Sequence, residues 1–199
     1  MEFPSAALII ILYILNGNRT LTTGIFLACW LSHYLYRTFI YPFRQSGKDK
    51  PYPLVLAGMA FIFNLFNGFA NGYGIFHINE YAGSWLLSWK FIAGSLIFIS
   101  GWIINKTADE KLRALRKENK GEYNIPRGWL FSYISSPHYF GEIIEWGGWA
   151  VMTWSLPGLA FFIFTFANFF PRAISSHKWY KKHFPQYPVT RKAIIPFLV

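Results

Sequence analysis

The sequence predicts an all-α fold: a polytopic bundle of about six transmembrane helices with cytoplasmic loops that close over a pocket. Three observations carry this. Hydrophobic residues make up 53% of the 199 residues and aromatics 21%. The apolar residues gather into runs at 3–15, 20–43, 53–78, 84–104, 129–151 and 153–171. Several of these reach the ~20 helical residues that cross a hydrocarbon core of roughly 30 Å. Finally, seventeen of the nineteen Lys and Arg fall in blocks at 37–50, 106–127 and 172–192, leaving only Arg19 and Lys90 elsewhere. Six helices threaded back and forth place all three blocks on one face, which the positive-inside rule makes the cytoplasm. The length suits a single domain, residues 1–199.

Taken in order, the first helix is Phe3–Leu15, short for a span. Met1–Pro4 carries no basic residue, so a signal peptide is not expected there. The second runs over Leu21–Phe43, followed by the polar loop "RQSGKDKPYP". The third holds "FNLFNGFANGYGIF", with Asn64, Asn67 and Asn71 in an apolar background. The fourth is "SWKFIAGSLIFISGWIIN". A soluble stretch follows whose first half reads as helix, ended by Gly121 and Pro126. The fifth starts near Trp129. The sixth covers Trp154–Phe170, with Pro171 as its stop. The tail begins amphipathic and finishes in proline-punctuated coil.

Four polar stripes stand out. His138, Glu142 and Glu145 are spaced i, i+4, i+7 and share a helix face. Ionisable groups at membrane depth are costly, so they point into the bundle: either a polar contact between helices or a ligand pocket. Tyr34, Arg37 and Tyr41 share a second face. The commoner role for such an aromatic is an interface anchor; a phenol can also donate to a carbonyl oxygen that gains charge. Asn105, Asp109, Arg113 and Arg116 carry a membrane helix into the cytoplasm, with Asp109 and Arg113 spaced for an ion pair. Arg172, Ser176 and Tyr180 make the fourth. Arginine's planar fork suits phosphate.

Other chemistries are excluded. The five histidines are scattered and form no His-box. Neither HExxH nor a P-loop is present, and "GYGIFH" lacks the third glycine and the βαβ setting of a dinucleotide fingerprint. The lone cysteine, Cys29, implies no disulfide or metal framework. Basic residues tied to membrane spans, without a nucleic-acid motif, argue against nucleic-acid binding.

In order along the chain, "HYLYRTFIYP", "PYP", "NGFANGY", "GEIIEW", "TWSLP" and "YPVTRKAIIPF" resemble the steroid 5α-reductases, the 3-oxo-5α-steroid 4-dehydrogenases, from about Glu2 to Val199. The resemblance implies an NADPH-dependent reductase of the C4–C5 double bond of a 3-oxo-Δ4-steroid, in a fold of seven membrane helices. It starts at Glu2, and the family's first helix has no counterpart here. It further implies catalytic roles for Tyr34 and Glu2 near the ketone. Cofactor contacts are implied at Asn105, Asp109, Arg116, Tyr123, Glu142, Arg172 and Tyr180. His138 stands at a cofactor position where the animal enzymes have asparagine, Asn124 replaces an arginine, and Ser176 a histidine. "SSPHY" is closer to polyprenal reductases and to some membrane methyltransferases. The alternatives are therefore a polyprenal or enoyl-thioester reductase, an S-adenosylmethionine-dependent methyltransferase, or a non-catalytic scaffold. The expected partners are a steroid-like substrate and membrane lipid. The expected protein is a multi-pass monomer of the bacterial inner membrane or endoplasmic reticulum, with its cofactor site facing the cytoplasm.

Overall fold

A computed structural model describes residues 2–15, 19–44, 53–119 and 123–199. Lys48, Lys50, Lys120 and the helix stop at Gly121 lie outside the described residues, as does most of "PYP". Among the described residues six main α-helices carry the chain: α1 Phe3–Leu15, α2 Leu21–Leu35, α3 Leu54–Tyr73, α4 Trp89–Glu118, α5 Pro137–Thr153 and α6 Leu156–His183. The all-α membrane bundle stands. Leu54–Ile78, Trp89–Glu118 and Leu156–His183 are each long and apolar enough to cross a membrane, while α1, α2 and α5 have 13, 15 and 17 residues. No strand occurs among the described residues. An isolated parallel bridge joins Ile134 to Lys192.

Helix ends follow local chemistry. Thr20 and Thr23 form a reciprocal capping box at the start of α2. That helix continues through a π-helical turn, Tyr36–Ile40, and a last turn, Tyr41–Arg44. Such turns are frequent at functional sites. Ser155 caps α6 by accepting from the Gly158 N–H at 3.2 Å. The preceding Trp154 turns the chain at φ 45°.

Two helix boundaries correct the sequence reading, and one bears it out: the fourth helix and the first half of the soluble stretch after it form one 30-residue helix, α4, ending at Glu118. No residue between Trp89 and Glu118 is proline, and the charged half is built from good helix formers. The fifth helix begins at Pro137 rather than near Trp129, where a 3-10 turn, Trp129–Ser132, intervenes. Proline suits a first helical position because its missing N–H would have no intrahelical acceptor there. The sixth does not stop at Pro171. It runs on to His183 with the proline inside. Proline removes one backbone bond, a loss that helices in membrane proteins tolerate.

The chain divides into two compact units, Met1–Gly94 with Ala150–Phe161, and Ser95–Trp149 with Phe162–Val199. In the first, α1 packs on α3 through a Gly-x-x-x-Gly pair. A methyl at Gly68 would come within 2.8 Å of Ser5 Cα, and one at Gly72 within 2.8 Å of Leu12 Cδ1. Small residues at this spacing bring backbones together where lipid supplies no hydrophobic drive. Trp30 and Phe26 are fully buried in the same unit. Tyr81 fixes the loop after α3 by donating to the Thr153 carbonyl at 2.7 Å, and burial pushes its phenol pKa well above the usual range.

In the second unit α4 and α5 touch backbone to backbone. A methyl at Gly101 would fall on the backbone of Gly141 and Glu145, and one at Gly141 on that of Asn105 and Gly101. Gly101→Ala is therefore expected to lower the melting temperature of the detergent-solubilised protein, with an overpacking cost of about 1–3 kcal/mol. Gly58 has nothing within 4 Å of an added methyl, so Gly58→Ala should leave stability unchanged or raise it slightly. Equal effects of the two substitutions would refute the close contact.

Candidate active site

The α4–α5 contact places a buried polar set. Asn105 is 1% exposed, and its Nδ2 donates to the His138 carbonyl at 3.0 Å and to Glu142 Oε2 at 3.2 Å. Asp109, one turn further along α4, is buried too, and its Oδ2 accepts no hydrogen bond among the described residues. Arg113 does not pair with it. Its Nη2 meets Glu110 Oε2 at 2.6 Å, three residues away. Glu145 is wholly buried where α5 meets Gly101. The stripes on α4 and α5 thus form one polar seam.

Beside this seam lies a cavity of about 510 Å³, within the ordinary range for a small-molecule site. Its wall brings together Leu112 and Arg116 from α4, Tyr123, Ser135 and Ser136 before α5, His138 and Tyr139 on α5, and Ser175, Ser176, Trp179 and Tyr180 on α6. Of the cofactor positions expected from the sequence, Arg116, Tyr123, His138 and Tyr180 line it directly. Asn105, Asp109 and Glu142 belong to the seam. Arg172 lies on the exposed side of α6 and is not part of the wall. The Arg116 guanidinium sits 5.3 Å from the Tyr123 ring centre, and Tyr123 packs edge-on against Trp179.

Sequence reasoning did not identify what holds this wall. Ser135 Oγ lies 2.6 Å from His177 Nδ1, 2.6 Å from the Tyr187 hydroxyl and 3.0 Å from the Lys192 carbonyl. Backbone bonds from Ser135 N to Lys192 O and from Lys192 N to Tyr133 O, at 2.8 and 2.9 Å, tie the tail to the same segment. Tyr187 stacks on Tyr180 with ring centres 5.3 Å apart. The only signal in the sequence was the motif "YPVTRKAIIPF", whose partners are distant in the chain.

The first unit holds the other candidate pair. Tyr34 is 4% exposed and stacked on Trp30. Its phenol oxygen accepts from Asn67 Nδ2 at 3.0 Å, and Asn67 Oδ1 accepts from Asn71 Nδ2 at 3.0 Å. Accepting a bond polarises the phenol and strengthens its own O–H as a donor. Glu2 is gripped by Arg37, whose Nε and Nη2 donate to the carboxylate at 3.0–3.2 Å. Arg37 in turn lies 4.6 Å from the Tyr41 ring centre. Arg37, Asn67 and Asn71 were visible as polar residues in apolar helices, but not as partners of Glu2 and Tyr34.

A family model described as 3-oxo-5-alpha-steroid 4-dehydrogenase matches residues 50–199. The chain belongs to the steroid 5α-reductase family. It is 44% identical over 207 residues to steroid 5-alpha-reductase DET2 of Arabidopsis thaliana, covering all of this chain and 79% of that protein. It is 42% identical over 200 residues to 3-oxo-5-alpha-steroid 4-dehydrogenase 1 of Homo sapiens, covering 99% of this chain and 77% of the relative. The Bos taurus protein of the same name is 45% identical over 175 residues, covering 88% and 68%. A steroid 5α-reductase family member is an oxidoreductase, so the methyltransferase and scaffold readings fall away. Its long apolar helices make it a membrane protein.

The amide chain behind Tyr34 is open to direct test. The Tyr34→Phe and Asn67→Ala variants and their double are expected to show a coupling of about 0.5–1.5 kcal/mol in detergent melting, the usual scale of one buried hydrogen bond. Strict additivity would show that the 3.0 Å contact contributes nothing.

Proposed function

We propose that this chain reduces the C4–C5 double bond of a 3-oxo-Δ4-steroid with NADPH. What supports the cofactor is the cavity wall, in which four chain segments converge on Arg116, Tyr123, His138 and Tyr180. The residues fit a dinucleotide. Arg116 suits a phosphate, the aromatic rings suit a flat base, and Asn105 Oδ1 and Asp109 Oδ2 are buried acceptors without a donor among the described residues. Ribose hydroxyls and the nicotinamide amide are donors of the required kind. When bound, NADPH supplies a hydride to C5, the carbon conjugated to the ketone.

The chain's own contribution at the steroid is charge stabilisation. Tyr34 donates its O–H to the C3 oxygen as that oxygen gains negative charge, and Asn67 and Asn71 hold the phenol in place. Preorganised donors of this kind are usually the largest catalytic term. Glu2, held as a carboxylate by Arg37, accepts hydrogen bonds and orders the polar donors around the ketone; it does not itself protonate C4, whose proton comes from solvent. The apolar helices admit the steroid from lipid. The cofactor face is cytoplasmic, where NADPH is found, and the enzyme acts as a monomer.

Incubation of the purified protein with NADPH and testosterone or progesterone, with products identified by mass, should give the 5α-dihydro steroid. Reduction of a polyprenal alone would move the substrate class. Tyr34→Phe keeps the ring and removes the hydroxyl. Turnover is expected to fall by about 100-fold or more with NADPH affinity intact. Normal turnover would leave Tyr34 as a buried packing residue bonded to Asn67.

Arg116→Ala should weaken NADPH by on the order of 10- to 100-fold, and NADH less, because a charge-assisted contact is lost. Arg172→Ala should act in the same direction but more weakly, given its exposed side chain. Equal losses for both nucleotides would exclude a 2′-phosphate role.

A further inference from the structure

Ser136 lines the cavity but belongs neither to the polar seam nor to the set of bonds around Ser135. It is the N-cap of α5: its carbonyl accepts from the Phe140 N–H at 3.1 Å, and Pro137 is the first helical residue. An N-cap serine ordinarily turns its hydroxyl onto an N–H of the first turn. This one does not. Ser136 is fully buried, and its Oγ has no hydrogen-bond partner among the described residues. Its neighbour Ser135 has three. The Ser136 backbone is fixed by its N–H to the Ala193 carbonyl at 3.2 Å. The hydroxyl is thus preplaced yet unused.

Positive groups stand close to this hydroxyl in the cavity wall. Ser136 is part of the cavity wall with Arg116 and His138. The N-terminus of a 17-residue helix begins at the same place. A helix N-terminus carries partial positive charge and N–H groups that its own helix does not satisfy. A hydroxyl donor, a helix N-terminus and a guanidinium together match an anionic oxygen.

We propose that Ser136 is a ligand-binding residue: its hydroxyl, with the α5 N-terminus, takes a phosphate oxygen of the dinucleotide. This rests on the cofactor reading given above. It predicts a signature that a capping role reverses. A buried hydroxyl without a partner costs stability until the ligand arrives. Removing it should spare or stabilise the ligand-free protein and weaken binding. A hydroxyl that only capped the helix would, when removed, cost stability and spare binding.

The test uses the full chain in detergent, with Ser136→Ala and, as a second variant that keeps an acceptable N-cap, Ser136→Gly. Ligand-free melting and equilibrium binding of NADPH and of 2′-phospho-ADP-ribose, which lacks nicotinamide, are measured. For both ligands the affinity is expected to fall by about 3- to 10-fold. The ligand-free melting temperature of Ser136→Ala should be unchanged or higher. Unchanged affinity beside normal binding by the parent protein overturns this inference alone. So does a loss confined to NADPH, which would put the hydroxyl at the nicotinamide, or a lowered ligand-free melting temperature in Ser136→Ala. Absence of NADPH binding by the parent overturns the cofactor reading itself.

Discussion

Gly101 on α4 and Gly141 on α5 let two helix backbones meet with no side chain between them, and the polar seam depends on that contact. Lipid gives carboxylates and amides no partners, so a polar group within a spanning helix must face another helix or a cavity. Close approach brings Asn105 into reach of both the His138 carbonyl and Glu142. It also encloses Glu145. With a larger residue at either glycine the helices would stand apart. The amide bonds would then lengthen beyond use, and the acidic groups would meet hydrocarbon.

The same device recurs in the first unit with a different load. Gly68 and Gly72 admit α1 against α3. That fixes the face of α3 on which Asn67 and Asn71 stand, and so the amide chain that ends on Tyr34. In both units small residues set the helix spacing, and the spacing decides which polar atoms pair. The polar side chains paired in this way are ones that a lipid environment would otherwise reject.

Much of this was legible in the sequence, because helices impose local periodicity. Phe3–Leu15 was read with the boundaries it has. The stripes His138–Glu142–Glu145 and Asn105–Asp109 lie on the faces that meet in the seam, since residues spaced three and four apart share a side of any α-helix. Proline was over-read at Pro171, where helix packing outweighs one lost backbone bond. Asp109 and Arg113 have the spacing of an ion pair, yet Arg113 turns to Glu110 while Asp109 faces inward. Spacing fixes which residues can meet, and burial decides which do. The clamp on the cavity wall joins Ser135 to His177, Tyr187 and Lys192, over forty residues or more of chain. No local pattern encodes such a contact. Ser136 escaped for the opposite reason: a serine before Pro137 reads as an ordinary cap, and only its burial and idle hydroxyl mark it out.

The central claim is that the cavity of the second unit holds a nicotinamide dinucleotide, and Trp179 in its wall offers a direct readout. NADPH absorbs where tryptophan emits, so binding in the cavity should quench indole fluorescence saturably. Titration of the purified protein is expected to saturate at nucleotide concentrations of roughly 1 μM to 1 mM, the usual range for enzyme substrates. NADPH should saturate at lower concentration than NADH, and the amplitude should shrink in Trp179→Phe. A linear, unsaturable response identical for both nucleotides and unaffected by Trp179→Phe would contradict the account.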